Sequence, residues 1–325
     1  MTATSTTLSP APPIADPGEV VRHRVDLHGQ PMSFLAAGDP SSPRVVLLVH
    51  GLAGRAGAWT PVLTALSRDA YVLAPDLFGH GESAAPPYAD YSAGGHACRL
   101  RDLLHLLGHR RVSVVGHSFG GGVAMSFAYQ FPERCESLTL ISSGGLGPEL
   151  SAALRTASLP GLAVAANALC SVTPGWLGRL ARSGAMALGM ASAAEIEAVG
   201  RALRAMREPT RRRALLHTLR GAVSWSGQCQ DATDRLYLLA GLPTLLIAGE
   251  DDRCIPPGHS RRAHELLPNS RLAVLPTGHF PHTARPDLVA DLIAGLLAEL
   301  PRRATFPLTG PATPPPAVGY VPLTA

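Results

Sequence analysis

The 325-residue sequence contains no lysine, so all 28 of its basic residues are arginine, set against 24 acidic residues. Charged residues make up only 16% of the chain and aromatic residues only 5%. Proteins that follow a nucleic-acid backbone usually combine basic stripes with aromatic side chains. The composition therefore disfavours a nucleic-acid partner, and the exclusive use of arginine is interpreted as the codon bias of a GC-rich genome.

Cysteine is scarce, and segments that direct a chain to or across a membrane are missing. The five cysteines are scattered and form no C-x-x-C motif, which favours free thiols in a reducing compartment and predicts a cytoplasmic protein. The N-terminus lacks the charged and apolar regions of a signal peptide. The longest apolar stretch, 159–172, is interrupted by Pro160, Gly161 and Asn167, so stable membrane insertion is not expected.

Apolar residues reach 46% of the chain, enough for a large core, and they are arranged in alternating patterns. Two strands are predicted within 20–38, and buried strands near 45–50, 71–75, 112–116, 137–142, 243–248 and 271–275. Helical stretches are predicted between most of them, near 58–68, 92–107, 119–131, 257–267 and 286–300. This alternation predicts an α/β fold, a mostly parallel sheet covered by helices on both faces.

The alternation stops after Gly144 and resumes near Ala240, and the intervening sequence is rich in Ala, Leu, Met and Arg at helical spacing. We interpret 147–238 as a helical cap inserted into a core of 20–146 and 239–301, lying over the carboxyl ends of the strands. A cap there excludes water and shapes the substrate pocket. The flanking segments, 1–19 and the Pro-rich 302–325, are predicted to be a disordered and a flexible tail.

Several cap residues have two interpretations. The arginines are either a solvated helix face or a docking surface for an anionic substrate tail. The aromatic and methionine side chains either line an apolar pocket or form the core of the cap. The residues concerned are Arg201, Arg204, Arg207, Arg211, Arg212 and Arg213 in the first group, and Trp176, Met190 and Trp225 in the second.

The most informative stretch is 116–120, which reads Gly-His-Ser-Phe-Gly between an apolar strand and a small-residue helix. A serine at the apex of a sharp strand-to-helix turn is the setting of a nucleophile elbow. Gly116 and Gly120 flank Ser118 because a Cβ at either position would collide with a neighbouring strand or helix. The sequence therefore predicts Ser118 as a nucleophile.

A nucleophilic serine needs an acid and a histidine further along the chain. The predicted strand 243–248 runs into a cluster of carboxylates, of which Asp252 is the preferred acid, with Asp251 and Glu250 as alternatives. Such acids lie at the sheet edge where open α/β sheets bind ligands.

The next strand, near 271–275, is followed by Gly278 and His279. A neutral imidazole there can accept the serine proton while a carboxylate holds its other nitrogen. His279 is the predicted base and His282 the alternative. His105 and His109 lie four residues apart on a predicted helix, but no third ligand accompanies them, so no metal site is expected.

Two backbone N–H groups complete the predicted chemistry. The strand near 45–50 ends in a His-Gly-Leu-Ala-Gly loop, in which the amide of Leu52 can pair with that of Phe119 to hold the oxygen of a tetrahedral intermediate. The side chain of His50 is expected to brace this loop. Cys254 is close to the predicted acid and either packs there or lines the pocket.

With these motifs in place, the chain resembles the α/β-hydrolase superfamily over about residues 20–300. The resemblance rests on five motifs in the family's order: 50–51, 76–83, 116–120, 249–256 and 278–281. The second, Asp-Leu-Phe-Gly-His-Gly-Glu-Ser, is similar to a family loop that walls the site. The chain departs from many relatives at Ala284 and Arg285, where an acidic residue is common after the histidine.

The resemblance implies hydrolysis through an acyl-serine, because relatives that open epoxides or remove halides have aspartate where this chain has Ser118. The expected substrate is a small or medium apolar carboxylic ester, with no metal or organic cofactor. Three alternatives stay open: a thioesterase or acyltransferase, a C–C bond hydrolase or perhydrolase, and a non-catalytic binding protein of the same fold. No motif bears on the oligomeric state.

Overall fold

The computed structural model of the chain describes residues 18–159, 192–229 and 231–301, together with Gly161 and Ala165. Nearly all of the two predicted tails therefore lies outside the described residues. So do Cys170, Trp176 and Met190 and most of the stretch 159–172.

The described strands follow the predicted apolar runs to within about two residues at each end. They are β1 (Val21–Leu27), β2 (Gln30–Ala37), β3 (Val45–Val49), β4 (Tyr71–Pro75), β5 (Val112–His117), β6 (Cys135–Ile141), β7 (Val223–Ser224), β8 (Gly227–Gln228), β9 (Thr244–Gly249) and β10 (Ser270–Leu275). Of these, β7 and β8 form a two-residue hairpin apart from the main sheet, and this hairpin is not predicted from the sequence.

The described helices lie between the strands, in the segment that precedes β9 and after β10. They are α1 (Thr60–Leu66), α2 (Ala93–Leu106), α3 (Phe119–Gln130), α4 (Ala152–Ala157), α5 (Ala193–Ala205), α6 (Pro209–Ala222), α7 (Gly258–Leu266), α8 (Pro281–Ala284) and α9 (Pro286–Glu299). Short 3-10 segments occupy Ala56–Trp59, Pro132–Arg134 and Thr233–Leu239. The helix predicted over 58–68 is thus a 3-10 turn that leads into α1, with Pro61 in the first turn of α1.

The main sheet has eight strands in the order β1-β2-β4-β3-β5-β6-β9-β10. The pairings of β1 with β2 and of β2 with β4 are antiparallel, and the remaining five are parallel. Alternate residues of the central strands face opposite sides: Leu47 and Val49 pack toward α2 and α3, whereas Val46 and Leu48 pack toward α1 and α9. Because both faces are buried, these strands read as continuous apolar runs.

The topology brings separate loops to one edge of the sheet. The parallel strands β3, β4, β5, β6, β9 and β10 all end at the same side, so the loops that follow them are neighbours. Within the described residues, none of the helices is long and apolar enough to cross a membrane.

Candidate active site

Ser118 occupies the sharp turn between β5 and α3. Its backbone has φ 53° and ψ −121°, a region that a residue with a side chain rarely adopts. A Cβ on Gly116 would collide with the carbonyl of Gly120, and a Cβ on Gly120 would collide with the carbonyl of Val49 at the end of β3. Only glycine at both positions lets the turn lie this close to its neighbours.

Hydrogen bonds from a neighbouring strand and loop hold the turn. The Ser118 N–H donates to the carbonyl of Ile141 at the end of β6 at 3.0 Å, and the carbonyl of Ser118 accepts from Gly144 at 3.0 Å and from Gly121 at 2.9 Å. These hydrogen bonds hold the strained backbone from both sides. They involve only the main chain of Ser118, so its side-chain hydroxyl is not used to hold the turn.

The structure brings Ser118, His279 and Asp252 together, although they are separated by 161 and 27 residues in the chain. The distance from Ser118 Oγ to His279 Nε2 is 3.0 Å, and that from His279 Nδ1 to Asp252 Oδ2 is 2.8 Å. With an ionised carboxylate at Nδ1, that nitrogen carries the proton and Nε2 accepts from the serine hydroxyl. A hydroxyl, an imidazole and a carboxylate in series can activate the serine oxygen for attack on a carbonyl.

Of the three acids considered in the sequence, only Asp252 contacts His279. Its second oxygen, Oδ1, accepts from the main-chain N–H of Cys254 at 2.8 Å and of Ile255 at 2.9 Å. Burial raises the pKa of this carboxyl, but the hydrogen bond and charge of His279 and the two N–H bonds together lower it by more, so the net pKa is lowered. Asp251 and Glu250 are exposed on the same turn.

Opposing influences act on the pKa of His279. Burial lowers it, whereas the neighbouring Cys254 thiol and the Asp252 carboxylate raise it, and the net direction is a pKa raised above 6.5.

The alternative base, His282, lies away from the serine. Its ring is buried, and its centroid lies 4.4 Å from the ring centroids of both Trp59 and His117, with the rings tilted. His117, by contrast, has a contact that the sequence analysis missed: its Nε2–H donates to the main-chain carbonyl of His279 at 2.7 Å. The available signal was a polar residue at the buried end of β5, next to the serine.

The loop after β3 lies directly against the elbow. A Cβ on Gly51 would stand only 3.0 Å from the Cβ of Ser118. Within the described part of the chain, neither the Leu52 N–H nor the Phe119 N–H donates a hydrogen bond. His50 braces this loop as expected, since Nδ1 donates to the Gly51 carbonyl at 2.9 Å and Nε2 accepts from the Leu77 N–H at 3.0 Å.

The loop 76–83 is organised around the buried carboxylate of Asp76. This carboxylate accepts from the N–H groups of Ala56 at 2.7 Å and Glu82 at 3.0 Å, and it pairs with Arg22 at 3.0 Å. Gly79 lies directly against Ala214 of α6. The loop thus connects the sheet edge to the helices that precede β9.

Four of the six arginines considered in the sequence fall into two groups. Arg201 and Arg211 each donate to a main-chain carbonyl of the core, that of Ala53 at 2.8 Å and that of Gly81 at 2.9 Å. Arg212 and Arg213 instead line a surface pocket of about 260 Å³ with His217. The two explanations for the arginines of 147–238 are therefore incomplete, because Arg201 and Arg211 hydrogen-bond to the core.

The sequence also led to predictions about Trp225, the cysteines and a metal site. Trp225 lies at the turn between β7 and β8, is 60% exposed and has the Arg155 guanidinium over its ring, so its assignment to the core of the cap is wrong, whereas its place in a pocket stays a prediction. The four described cysteines, Cys98, Cys135, Cys229 and Cys254, form no disulfide. Across the described residues, no group of three or more His, Cys, Asp or Glu side chains is arranged to hold a metal ion.

A mostly parallel sheet with a strained serine elbow at its carboxyl edge defines the class of α/β hydrolase folds. Residues 44–286 match the family described as alpha/beta hydrolase fold. The chain belongs to this family and is a hydrolase of it.

Two bacterial proteins are similar in sequence to most of this chain. An uncharacterized protein of Mycobacterium tuberculosis (strain ATCC 25618 / H37Rv) is 38% identical over 299 residues, 90% of this chain and 85% of that protein. RutD of Stutzerimonas stutzeri (strain A1501), named as a candidate carbamate hydrolase, is 32% identical over 251 residues, 74% of this chain and 85% of RutD.

A solved structure has the same fold. The 2-hydroxy-6-oxo-6-phenylhexa-2,4-dienoate hydrolase of Rhodococcus sp. strain RHA1 superimposes with a TM-score of 0.66 at 23% identity, over 86% of this chain and 99% of that one.

Proposed function

We propose that the protein is a serine hydrolase that cleaves a small or medium apolar carboxylic ester through an acyl-Ser118 intermediate. The observation that carries the proposal is the series of two hydrogen bonds, 3.0 Å and 2.8 Å long, from Ser118 through His279 to Asp252. A neutral ester is favoured because, within the described residues, His279 is the only side chain that hydrogen-bonds to the serine hydroxyl.

The proposed reaction has two halves. Ser118 Oγ attacks the ester carbonyl while His279 Nε2 takes the hydroxyl proton, and the N–H groups of Leu52 and Phe119 stabilise the oxyanion. His279 then gives the proton to the leaving alcohol. In the second half, water attacks the acyl-serine with His279 again as base, and the acid is released.

We further propose that 147–238 is a cap over this site. Support comes from contacts of α5 and α6 with the loops after β3 and β4, namely Arg201 with Ala53, Arg211 with Gly81, and Ala214 with Gly79. A cap in this place would exclude water from the acyl intermediate and select the substrate.

Covalent labelling tests the proposal. We expect a fluorophosphonate probe to add once to the wild-type protein by intact mass, not to add to Ser118→Ala, and to add much more slowly to His279→Ala. Hydrolysis of 4-nitrophenyl butyrate should fall by more than about 10³-fold in Ser118→Ala. The matched control is Ser113→Ala, a buried serine of β5 that should label like wild type.

A well-folded wild-type protein that neither labels nor hydrolyses any ester would contradict the proposal. A panel that also contains thioesters and vinylogous diketones separates ester cleavage from the other reactions open to the same three side chains. The panel also includes a carbamate, because the relative RutD is named as a candidate carbamate hydrolase.

A further inference from the structure

The loop that carries the Leu52 N–H contains a residue in an unfavourable conformation. Ala53 has φ 53°, in the left-handed region that a residue with a Cβ seldom adopts. Such a conformation persists only where the surrounding structure holds it. The contacts of Ala53 therefore bear on how the neighbouring N–H is presented.

Hydrogen bonds within the core hold one side of the loop. The Gly54 N–H and His50 Nδ1 both donate to the Gly51 carbonyl, each at 2.9 Å. On the other side, Arg201 Nε donates to the Ala53 carbonyl at 2.8 Å, from helix α5 and 148 residues away in the chain. The peptide group that joins Ala53 to Gly54, in the same loop as the Leu52 N–H, is thus held from the segment proposed as the cap.

The guanidinium of Arg201 is itself fixed. It pairs with Glu197 one turn earlier on α5 at 2.7 Å, and the same Glu197 oxygen pairs with Arg55 at 3.0 Å. The Arg201 side chain is only 15% exposed. Since a guanidinium is planar, its pairing with Glu197 also orients the Nε–H toward Ala53.

We propose that Arg201 is a positioning residue that holds the Ala53 carbonyl and thereby orients the Leu52 N–H toward the oxyanion. This inference rests on the proposed function, because it assigns a partner to the oxyanion donor of that reaction. Because Arg201 lies on α5, full stabilisation of the transition state then requires α5 to be in place. A purely structural Arg201 would anchor α5 without affecting the oxyanion.

The experiment compares Arg201→Met, which keeps much of the side-chain bulk, with Arg201→Lys and with Arg204→Met as the matched control. Arg204 lies on the same helix and is exposed, and its side chain makes no hydrogen bond or ion pair with the described residues. For each variant, kcat and KM with 4-nitrophenyl butyrate, the inhibition constant of phenylboronic acid and the thermal midpoint are measured. The boronate forms a tetrahedral adduct with the serine and so reports on oxyanion binding.

We expect Arg201→Met to lower kcat by about 10- to 100-fold with KM changed less than about 3-fold, since losing an oxyanion donor outright costs about 10²–10³-fold in kcat. Boronate affinity should fall in parallel with kcat/KM. Arg201→Lys should be intermediate, because an ammonium can donate to the Ala53 carbonyl without the planar geometry of the guanidinium. Arg204→Met should match wild type.

The inference is overturned if wild type is active and Arg201→Met keeps its kcat and boronate affinity, or if boronate affinity is unchanged while KM alone rises. If Arg201→Met does not fold, Arg201→Lys decides by the same two measurements. A wild-type protein that is not labelled by fluorophosphonate would instead contradict the proposed function itself, so the two failures are distinct.

Discussion

At the scale of single residues, the state of the imidazole decides what the site can do. His279 is held at three points: its Nδ1 by Asp252, its Nε2 by Ser118 and its main-chain carbonyl by His117. Each contact restricts either the ring orientation or the backbone that carries it. The histidine is therefore positioned before substrate arrives, which favours catalysis by a fixed base.

The raised pKa of His279 sets the expected pH dependence. A general base must be neutral, so kcat/KM should increase with pH through a midpoint above 6.5, the ordinary value for histidine. Asp252→Asn removes a carboxylate that raises this pKa, so the midpoint should move down, while kcat falls by about 10³–10⁴-fold as the tautomer is lost. Stopped-flow or steady-state rates from pH 5 to 10 provide the measurement.

The exposed neighbour provides the control for this prediction. Asp251→Asn changes the same charge one residue away without a contact to His279, so its profile should overlay that of wild type. A wild-type midpoint at or below 6.5 would show that burial outweighs the two neighbours.

At the scale of elements, the elbow between β5 and α3 depends on close backbone packing. Gly116 and Gly120 face each other across the turn, and Gly120 also faces the end of β3. The closeness of these three elements is what forces the serine into its strained conformation. The turn is therefore a property of packing as much as of local sequence.

Replacement of a glycine tests this packing. In Gly116→Ala the added methyl group would collide with the Gly120 carbonyl. We expect this overpacking to lower the free energy of unfolding by about 3 kcal/mol. Gly258→Ala is the matched change at the start of α7, where a Cβ meets open space, and it should raise stability by about 0.4–1 kcal/mol. Urea unfolding measures both, and equal midpoints for the two variants would refute the packing argument.

At the scale of the whole molecule, the interior holds several neutral histidines. Burial is the main cause that lowers the pKa of His80 and His282 to about 3, and it places the pKa values of His96 and His117 well below 6.5. Neither ring nitrogen of His96 has a hydrogen-bond partner among the described residues. Because the pKa values of these side chains are lowered in the folded protein, the free energy of unfolding depends on pH.

Acid should therefore unfold the protein progressively. A histidine whose folded pKa is lowered stabilises the fold fully above pH 6.5 and loses that contribution as pH falls toward the folded pKa, at up to about 1.4 kcal/mol per pH unit for each group. His279, with its raised pKa, acts in the opposite direction and stabilises at low pH. Burial also lowers the pKa of His23, His50 and His109. Seven histidines with a lowered pKa against one with a raised pKa predict a lower free energy of unfolding at pH 5.5 than at pH 7.5.

Urea unfolding at pH 7.5, 6.5 and 5.5 measures this slope. His96→Leu should reduce it by about one proton, because the unfolded chain then has one fewer site to protonate. The exposed His105 serves as control, and His105→Gln should leave the slope unchanged. A free energy that is the same at all three pH values would contradict the prediction.

The amino-acid sequence by itself determined the architecture and the set of candidate residues. Apolar, β-branched runs such as Val45–Val49 and Val112–His117 can only be buried strands, and their alternation with helices leaves few topologies. The order of the motifs then pointed to Ser118, Asp252 and His279 as one site. These features are local in the chain, and for that reason they can be read without coordinates.

Tertiary structure alone decided which side chains meet. Nothing in the spacing of 250–252 shows which carboxylate faces the imidazole, because the turn after β9 sets that direction. The bond from Arg201 to Ala53 spans 148 residues, and Gln228 of the unpredicted hairpin accepts from the Gly145 N–H at 2.7 Å across 83 residues. Such contacts depend on how separate elements pack, and a local pattern holds no information about that packing.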